Sequence, residues 1–121
     1  MSDVRHVRGQ RGEELAAAHF ERLGFEVLAR NHRTRYGELD LVVCDGDSLV
    51  FVEVKTRRDG SGEPWETLHE LKRSQVRRMA IAWLNENRDR LHVDEMRFDA
   101  VGILLDASGE LVRLDHLEAA F

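Results

Sequence analysis

Apolar positions along this chain follow two different periods, one near 3.6 residues and one of two. From Glu13 to Leu23, residues Ala16, Ala17, Phe20 and Leu23 recur at helical spacing, and Gly24 stands where such a helix ends. Phe25 to Asn31 reads as a strand and Asn31 to Arg35 as a polar connection. Gly37–Val43 and Ser48–Lys55 read as two strands around Asp45-Gly46, residues that tolerate the positive φ of a tight hairpin turn. The stretch Asp59-Gly60-Ser61-Gly62-Glu63-Pro64 holds the sole proline and predicts a mobile flap beside Lys55. A second helix is predicted over Thr67–Asn87, with Val76, Met79, Ala80 and Trp83 on one face. Met96–Leu105 reads as a fourth strand, 107–109 as a turn and Glu110–Leu114 as a fifth strand, after which Asp115 is expected to cap a short last helix ending at Phe121. The order is α-β-β-β-α-β-β. Because the third strand reaches the fourth through a helix, a parallel pairing beside an antiparallel hairpin is favoured. An α/β fold follows, a mixed central sheet flanked by helices on both faces. Residues 1–121 read as a single domain whose residues 1–10 form a flexible basic arm.

Three ionisable residues interrupt the apolar pattern where it is strongest. Asp40 stands in Leu39-Asp40-Leu41-Val42-Val43, and Glu53 and Lys55 in Phe51-Val52-Glu53-Val54-Lys55. Burying such groups costs on the order of several kcal/mol unless they are paired or bind metal. A two-residue turn at Asp45-Gly46 would pair Asp40 with Phe51 and leave Glu53 diagonal to it, whereas a four-residue loop over 45–48 would set Asp40 opposite Glu53. Either even-length loop puts both carboxylates on one face, within roughly 5–8 Å, and Lys55 on the same face. Two oxygen ligands beside an ammonium suit a hard divalent cation and a phosphate. A buried ion cluster neutralised by Lys55 and nearby arginines is the other reading of the same residues. Glu38 shares the face in both registers, as a substitute ligand or a substrate contact. Glu13 lies on the apolar stripe of the first helix, either as an outer member of the metal site or as an acid favoured by about 0.3–1 kcal/mol at a helix N-terminus.

Composition narrows the setting. No apolar run approaches the ~20 residues that span a bilayer, and the polar, basic first eleven residues hold no secretory core. Cys44, the only cysteine, excludes an internal disulfide and fits a reducing compartment, so the cytoplasm is the expected location. The net charge of −5 opposes nucleic-acid binding in sum, but its distribution is uneven. Arg5, Arg8, Arg11, Arg30, Arg33 and Arg35 crowd the first third, Arg57 and Arg58 follow the hairpin, and Lys72, Arg73, Arg77 and Arg78 form an acid-free cluster. The six histidines show no zinc-ligand spacing, and His19 is expected on the outer side of the first helix. No phosphate loop, nucleophile elbow or cysteine pair is present. Gln75 reads as a polar boundary residue of the second helix, and Trp65 either stacks on a base or packs on that helix.

Asp40, a hairpin spacer and Glu53-Val54-Lys55, preceded by a helix with an acidic residue, resemble the PD-(D/E)xK nuclease core. More closely, the chain resembles the YraN-like UPF0102 bacterial family, regarded as endonuclease-like and related to archaeal Holliday-junction resolvases. The resemblance takes in Gly12-Glu13, Leu15-Ala16, Asn31, Gly37-Glu38-Leu39-Asp40-Leu41, Phe51-Val52-Glu53-Val54-Lys55, Arg57, Lys72, Ala80, Arg97-Phe98-Asp99 and Ala120-Phe121. Leu39 stands in the place of the motif's proline, a position without chemistry. What the resemblance implies is a restriction-endonuclease-like core in which Asp40 and Glu53 bind Mg²⁺ or Mn²⁺. The Val54 carbonyl would complete the metal shell, Lys55 would orient or activate water, and Glu13 would assist. Arg35, Arg57, Arg58 and Lys72 become the expected DNA contacts, with no membrane partner. A homodimer is an assembly the resemblance allows, because a junction offers two symmetric strands. The expected function is metal-dependent cleavage of DNA phosphodiesters at branched or single-stranded structures. The alternative is a non-catalytic nucleic-acid or protein-binding module that retains the nuclease fold.

Overall fold

Alternation of apolar residues builds a sheet that must be covered on both faces. The computed structural model describes residues 4–66, 73–87 and 93–121. The elements are α1 (Val4–Arg22), β1 (Glu26–Thr34), β2 (Gly37–Cys44), β3 (Ser48–Arg58), α2 (Arg73–Glu86), β4 (Glu95–Leu105) and β5 (Leu111–Leu117). The five strands lie side by side in sequence order. All neighbours run antiparallel except β3 and β4, which are parallel and connected through α2. This is the predicted order and the predicted mixed sheet. On one face Ala16, Ala17 and Phe20 of α1 pack on Leu41, Val43, Val50, Val52, Val101 and Ile103. On the other, Val76, Met79, Ala80 and Trp83 of α2 pack on Leu39, Val42, Leu49 and Phe51. Burying these side chains contributes roughly 1.5–3 kcal/mol each for the larger aliphatics and aromatics.

Several boundaries differ from the sequence reading. Helix α1 begins at Val4, so residues 4–10 are helical rather than a flexible arm. Arginine is a good helix former, and with Val7 half exposed these first turns show no apolar stripe to read. The helix docks through Gly12, where a β-carbon would stand 1.8 Å from Thr56 Oγ1 on β3. Strand β1 continues through the presumed connection to Thr34, against Gly37. Asp115 caps no helix, because it lies inside β5 opposite Gly102 of β4 and accepts a bond from Arg113 Nε at 2.8 Å. The last residues turn instead, and Ala120 N–H donates to the Phe98 carbonyl at 2.7 Å. The flap is tied down rather than left loose: Arg57 Nη2 donates to the Ser61 carbonyl at 2.9 Å and pairs with Glu66, while Arg113 pairs with Glu63. The start of the second helix, residues 67–72, lies outside the described residues.

Candidate metal and phosphate site

The hairpin turn decides the register. Asp45 Oδ1 accepts bonds from the Asp47 and Ser48 N–H groups at 2.8 and 2.7 Å, and Asp45 N–H donates to the Ser48 carbonyl. This four-residue turn sets Cys44 against Leu49 and Leu41 against Val52, so the next position along puts Asp40 level with Glu53. Ladder pairing of β2 with β3 stops at Leu41–Val52, and here β2 leaves the sheet's regular path. Leu41 packs on the α1 side and Leu39 on the α2 side, although residues two apart in a strand share a face. The alternation therefore slips at Asp40. Across β1 the same step appears as Asn31, whose φ of 50° is left-handed; its neighbours Arg30 and His32 pair with Leu41 and Leu39, leaving Asn31 and Asp40 facing each other without a rung. Asparagine tolerates that backbone region far better than a β-branched residue. Asn31 thus opens the sheet at the site, a role its sequence position after an apolar run did not disclose.

Into this gap project four acids and one amine. Val54 N–H donates to Asp40 Oδ2 at 2.8 Å, which bridges the missing rung. The N–H and C=O of one strand residue leave toward the same edge, so the Val54 carbonyl faces the same gap. Asp40 and Glu53 share a side-chain hydrogen bond, and Lys55 Nζ lies 3.2 Å from Glu53 Oε1. Glu13 of α1, Glu38 and Asp40 each offer a carboxylate oxygen within 4.8 Å of the others. Burial first, and then the Glu53 charge, push the Asp40 carboxyl up to about 9, against the pull of the Val54 N–H. Burial also raises Glu53, with Lys55 opposing it. Hard oxygen donors that repel one another without a cation are a donor set that suits Mg²⁺ or Mn²⁺. Glu38, read in the sequence as a substitute ligand or a substrate contact, is one of the three carboxylates of that close group, and the expected ligand Glu53 is not.

The basic residues divide. Arg57 and Arg58 are both in β3 and so point to opposite faces of the sheet, which separates two of the expected DNA contacts. Arg57 shares the Glu53–Lys55 face but is engaged with Ser61 and Glu66 in holding the flap. Arg58 is exposed on the α1 face, in a cleft with Arg8 and Arg11. Arg35 is exposed beside the Tyr36 ring, 5.4 Å from its centroid, and that ring also carries Arg78 at 5.6 Å. Lys72 lies outside the described residues. Gln75 is more than a boundary residue, since its Nε2 donates to the Tyr36 carbonyl at 2.8 Å and ties α2 to that turn. Trp65 packs on β4: a β-carbon at Gly102 would meet its indole at 2.8 Å, and Gly102 is the cross-strand partner of Lys55.

A second polar cluster lies on the other side of β3. Asp99 is fully buried and accepts from Arg97 Nε at 2.9 Å, from the Ala119 N–H at 3.0 Å and from His116 Nε2 at 2.7 Å. His116 Nδ1 meets His19 Nε2 at 3.0 Å, so His19 faces β5 and not the outer side of α1 as expected. Phe20 stands edge-on to both rings. The pairing spans 97 positions of sequence, and no local pattern announces it.

A family model described as "Uncharacterised protein family UPF0102" matches residues 12–103, a span that contains Glu13, Asn31, Glu38, Asp40, Glu53, Val54 and Lys55. A UPF0102 protein of Pelotomaculum thermopropionicum is 43% identical over 122 residues, covering 100% of both chains. Another from Nocardia farcinica is 46% identical over 114 residues, 93% of this chain and 87% of its own. A third from Geobacter sulfurreducens is 44% identical over 116 residues, 95% of this chain and 88% of its own.

Proposed function

This chain belongs to the UPF0102 family, and from its site we propose that it is a metal-dependent nuclease that hydrolyses DNA phosphodiesters, with branched and single-stranded DNA as its substrates. One observation carries the reading: Asp40 and Glu53, two carboxyls that can both ionise only at a cost, are held together beside Lys55 in a gap where β2 parts from β3. A structural ion cluster would balance its charges. Here, among the described residues, the two withdrawn carboxyls of Asp40 and Glu53 share the one Lys55 ammonium. The imbalance suits a site completed by a divalent cation and then a phosphate. A bound cation would polarise the scissile phosphate and lower the pKa of a water.

The chain's own groups supply the rest. Val54 N–H fixes the Asp40 carboxylate from one side, so its remaining lone pairs face the gap. Glu13 and Glu38 would hold the cation from α1 and from β2. Lys55, kept in place by Glu53, donates to the phosphate oxygen on which negative charge grows as water attacks. The attacking oxygen forms a bond to phosphorus as one ester oxygen leaves. Trp65 and the pinned flap wall the site on the β4 side and limit access of bulk water.

The test is incubation of purified protein with junction, flap, single-stranded and duplex DNA in Mn²⁺, in Mg²⁺ and in EDTA. Cleavage that needs metal and is lost in Asp40→Asn supports the proposal. Intact DNA under every condition, with binding retained, leaves the non-catalytic module in its place.

A further inference from the structure

The cleft on the α1 face has a volume of about 540 Å³ and is bordered by Arg8 and Arg11 of α1, Arg58 at the end of β3, and the β4–β5 turn. Arg11 Nε donates to the Gly109 carbonyl at 3.3 Å, which sets its guanidinium against that turn. Among the described residues, Arg8 and Arg58 have no ion pair. Two acids also border the cleft. Asp106 is turned into its own loop, where Oδ1 accepts from the Ser108 N–H, the Ser108 hydroxyl and the Glu110 N–H at 2.9, 2.7 and 2.9 Å. Glu110 is exposed at the rim. Three arginines and two acids thus border one concavity, an excess of positive charge that favours an anion. Val7, half exposed, and Leu105 add an apolar patch between them.

Position distinguishes this cleft from a chance patch. Arg58 is the last residue of β3, three positions past Lys55, or about 10 Å along the strand. Gly12 brings α1 onto β3 at Thr56, so Glu13 reaches the acid cluster while Arg8 and Arg11 border the cleft. The same turns of α1 border both places. We infer that the Arg8–Arg11–Arg58 cleft holds backbone phosphates of the nucleic-acid strand that enters the Asp40–Glu53–Lys55 site, the strand passing around the end of β3 because Arg58 and Lys55 point to opposite faces of the sheet. The inference rests on the proposed nuclease reading. Guanidiniums grip phosphate without reading sequence, so the cleft adds affinity and a minimum strand length. It assigns to Arg58 a contact separate from that of Arg57.

The experiment is a salt titration of (dT)12 binding by fluorescence anisotropy in EDTA, where no cleavage intervenes. Arg8→Ala/Arg58→Ala, which changes surface side chains, is compared with wild type and with Arg22→Ala, an equal charge change per residue at the far end of α1. The expected result is a salt slope shallower by about 1.4 in the double variant, from ~0.7 per lost phosphate contact. Arg22→Ala should keep the wild-type slope. A double variant that binds (dT)12 with the wild-type slope overturns the inference and leaves the nuclease reading standing. So does displacement of (dT)12 from the wild type by dTMP at equal phosphate concentration, which would mark a mononucleotide pocket. If the wild type neither binds (dT)12 nor cleaves any DNA with Mn²⁺, the nuclease reading fails, and the inference with it.

Discussion

Asp40 and Asp99 flank β3 at nearly the same level, since Val52 pairs with Leu41 on one side and with Asp99 itself on the other. Both are withdrawn from water, but their surroundings answer that cost in opposite ways. Asp99 is met by a guanidinium fork, an imidazole and a backbone N–H, and its two oxygens are fully engaged. Asp40 receives one backbone N–H and is otherwise surrounded by Glu53, Glu38 and Glu13. The first arrangement fastens β4 to β5 and, through His116 and His19, to α1. The second is left incomplete by the protein alone. A fold tolerates such a deficit where something else completes it, and the difference separates a structural aspartate from a candidate functional one.

The largest expected effect follows from breaking the satisfied side. Asp99→Ala takes the acceptor from Arg97 Nε, His116 Nε2 and the Ala119 N–H, although Glu95 and Glu118 remain beside the guanidinium, and should lower stability by about 3–5 kcal/mol in urea unfolding. A loss below ~1 kcal/mol would mean the network carries little energy, and the contrast with Asp40 would collapse. Next in size is the effect of Lys55→Ala on chemistry. Single-turnover cleavage should fall by about 10²–10³-fold, the range for losing one donor to a growing negative charge, while DNA binding in EDTA keeps most of its strength. Equal loss of binding and rate would reduce Lys55 to a docking contact.

A smaller effect, of opposite sign to Asp99→Ala, is expected on the incomplete side. The Asp40 carboxyl is raised to about 9 in the folded chain, against an ordinary value near 4. Between those values the folded state binds the extra proton, so stability falls as pH rises across that window. Asp40→Asn removes the penalty and should match wild type near pH 4 and exceed it increasingly toward pH 9, in metal-free buffer. Saturating Mg²⁺ should erase the gap by stabilising wild type alone. A variant less stable than wild type at pH 8 without metal would return Asp40 to the structural reading.

The pairing of Asp40 with Glu53 was legible because it depends on local rules, a turn signal and the two-residue period, and either loop length gave the same face. The four-residue register itself needed the Asp45 side chain to bond two backbone groups. The gap was not legible, since it arises where Asn31 takes a left-handed conformation opposite Asp40, a cross-strand event. Arg57 and Arg58 could have been separated by the same period that united Asp40 and Glu53, had β3 been carried three residues further. Helix α1 was cut short because residues 7–11 offer one apolar side chain, Val7, which is half exposed, and burial is what periodicity records. His19 was misplaced because its partner lies on the last strand, beyond any local window.

The smallest predicted effect tests whether the satisfied network is also sensitive to pH. His19 titrates below its ordinary value because burial disfavours its charge, with His116 and Arg22 adding repulsion. Phe20 faces the ring edge-on and offers no anion, and Asp99 is one residue removed, behind His116. The unfolded chain therefore takes up the His19 proton first, so stability is lost as pH drops below about 6.5 and levels off once the folded form protonates too. This slope has the opposite sign to that of Asp40, and because the His19 window lies inside the Asp40 window the two offset one another in the wild type below about pH 6.5. His19→Gln removes the titration while leaving an amide able to donate to His116 Nδ1. Urea unfolding at pH 7.5, 6.5 and 5.5 should show the variant gaining stability relative to wild type as pH drops, with little difference at pH 7.5. Parallel pH profiles for the two proteins would mean that the His19–His116 contact does not sense protons, leaving Asp40 as the pH-responsive member of the pair.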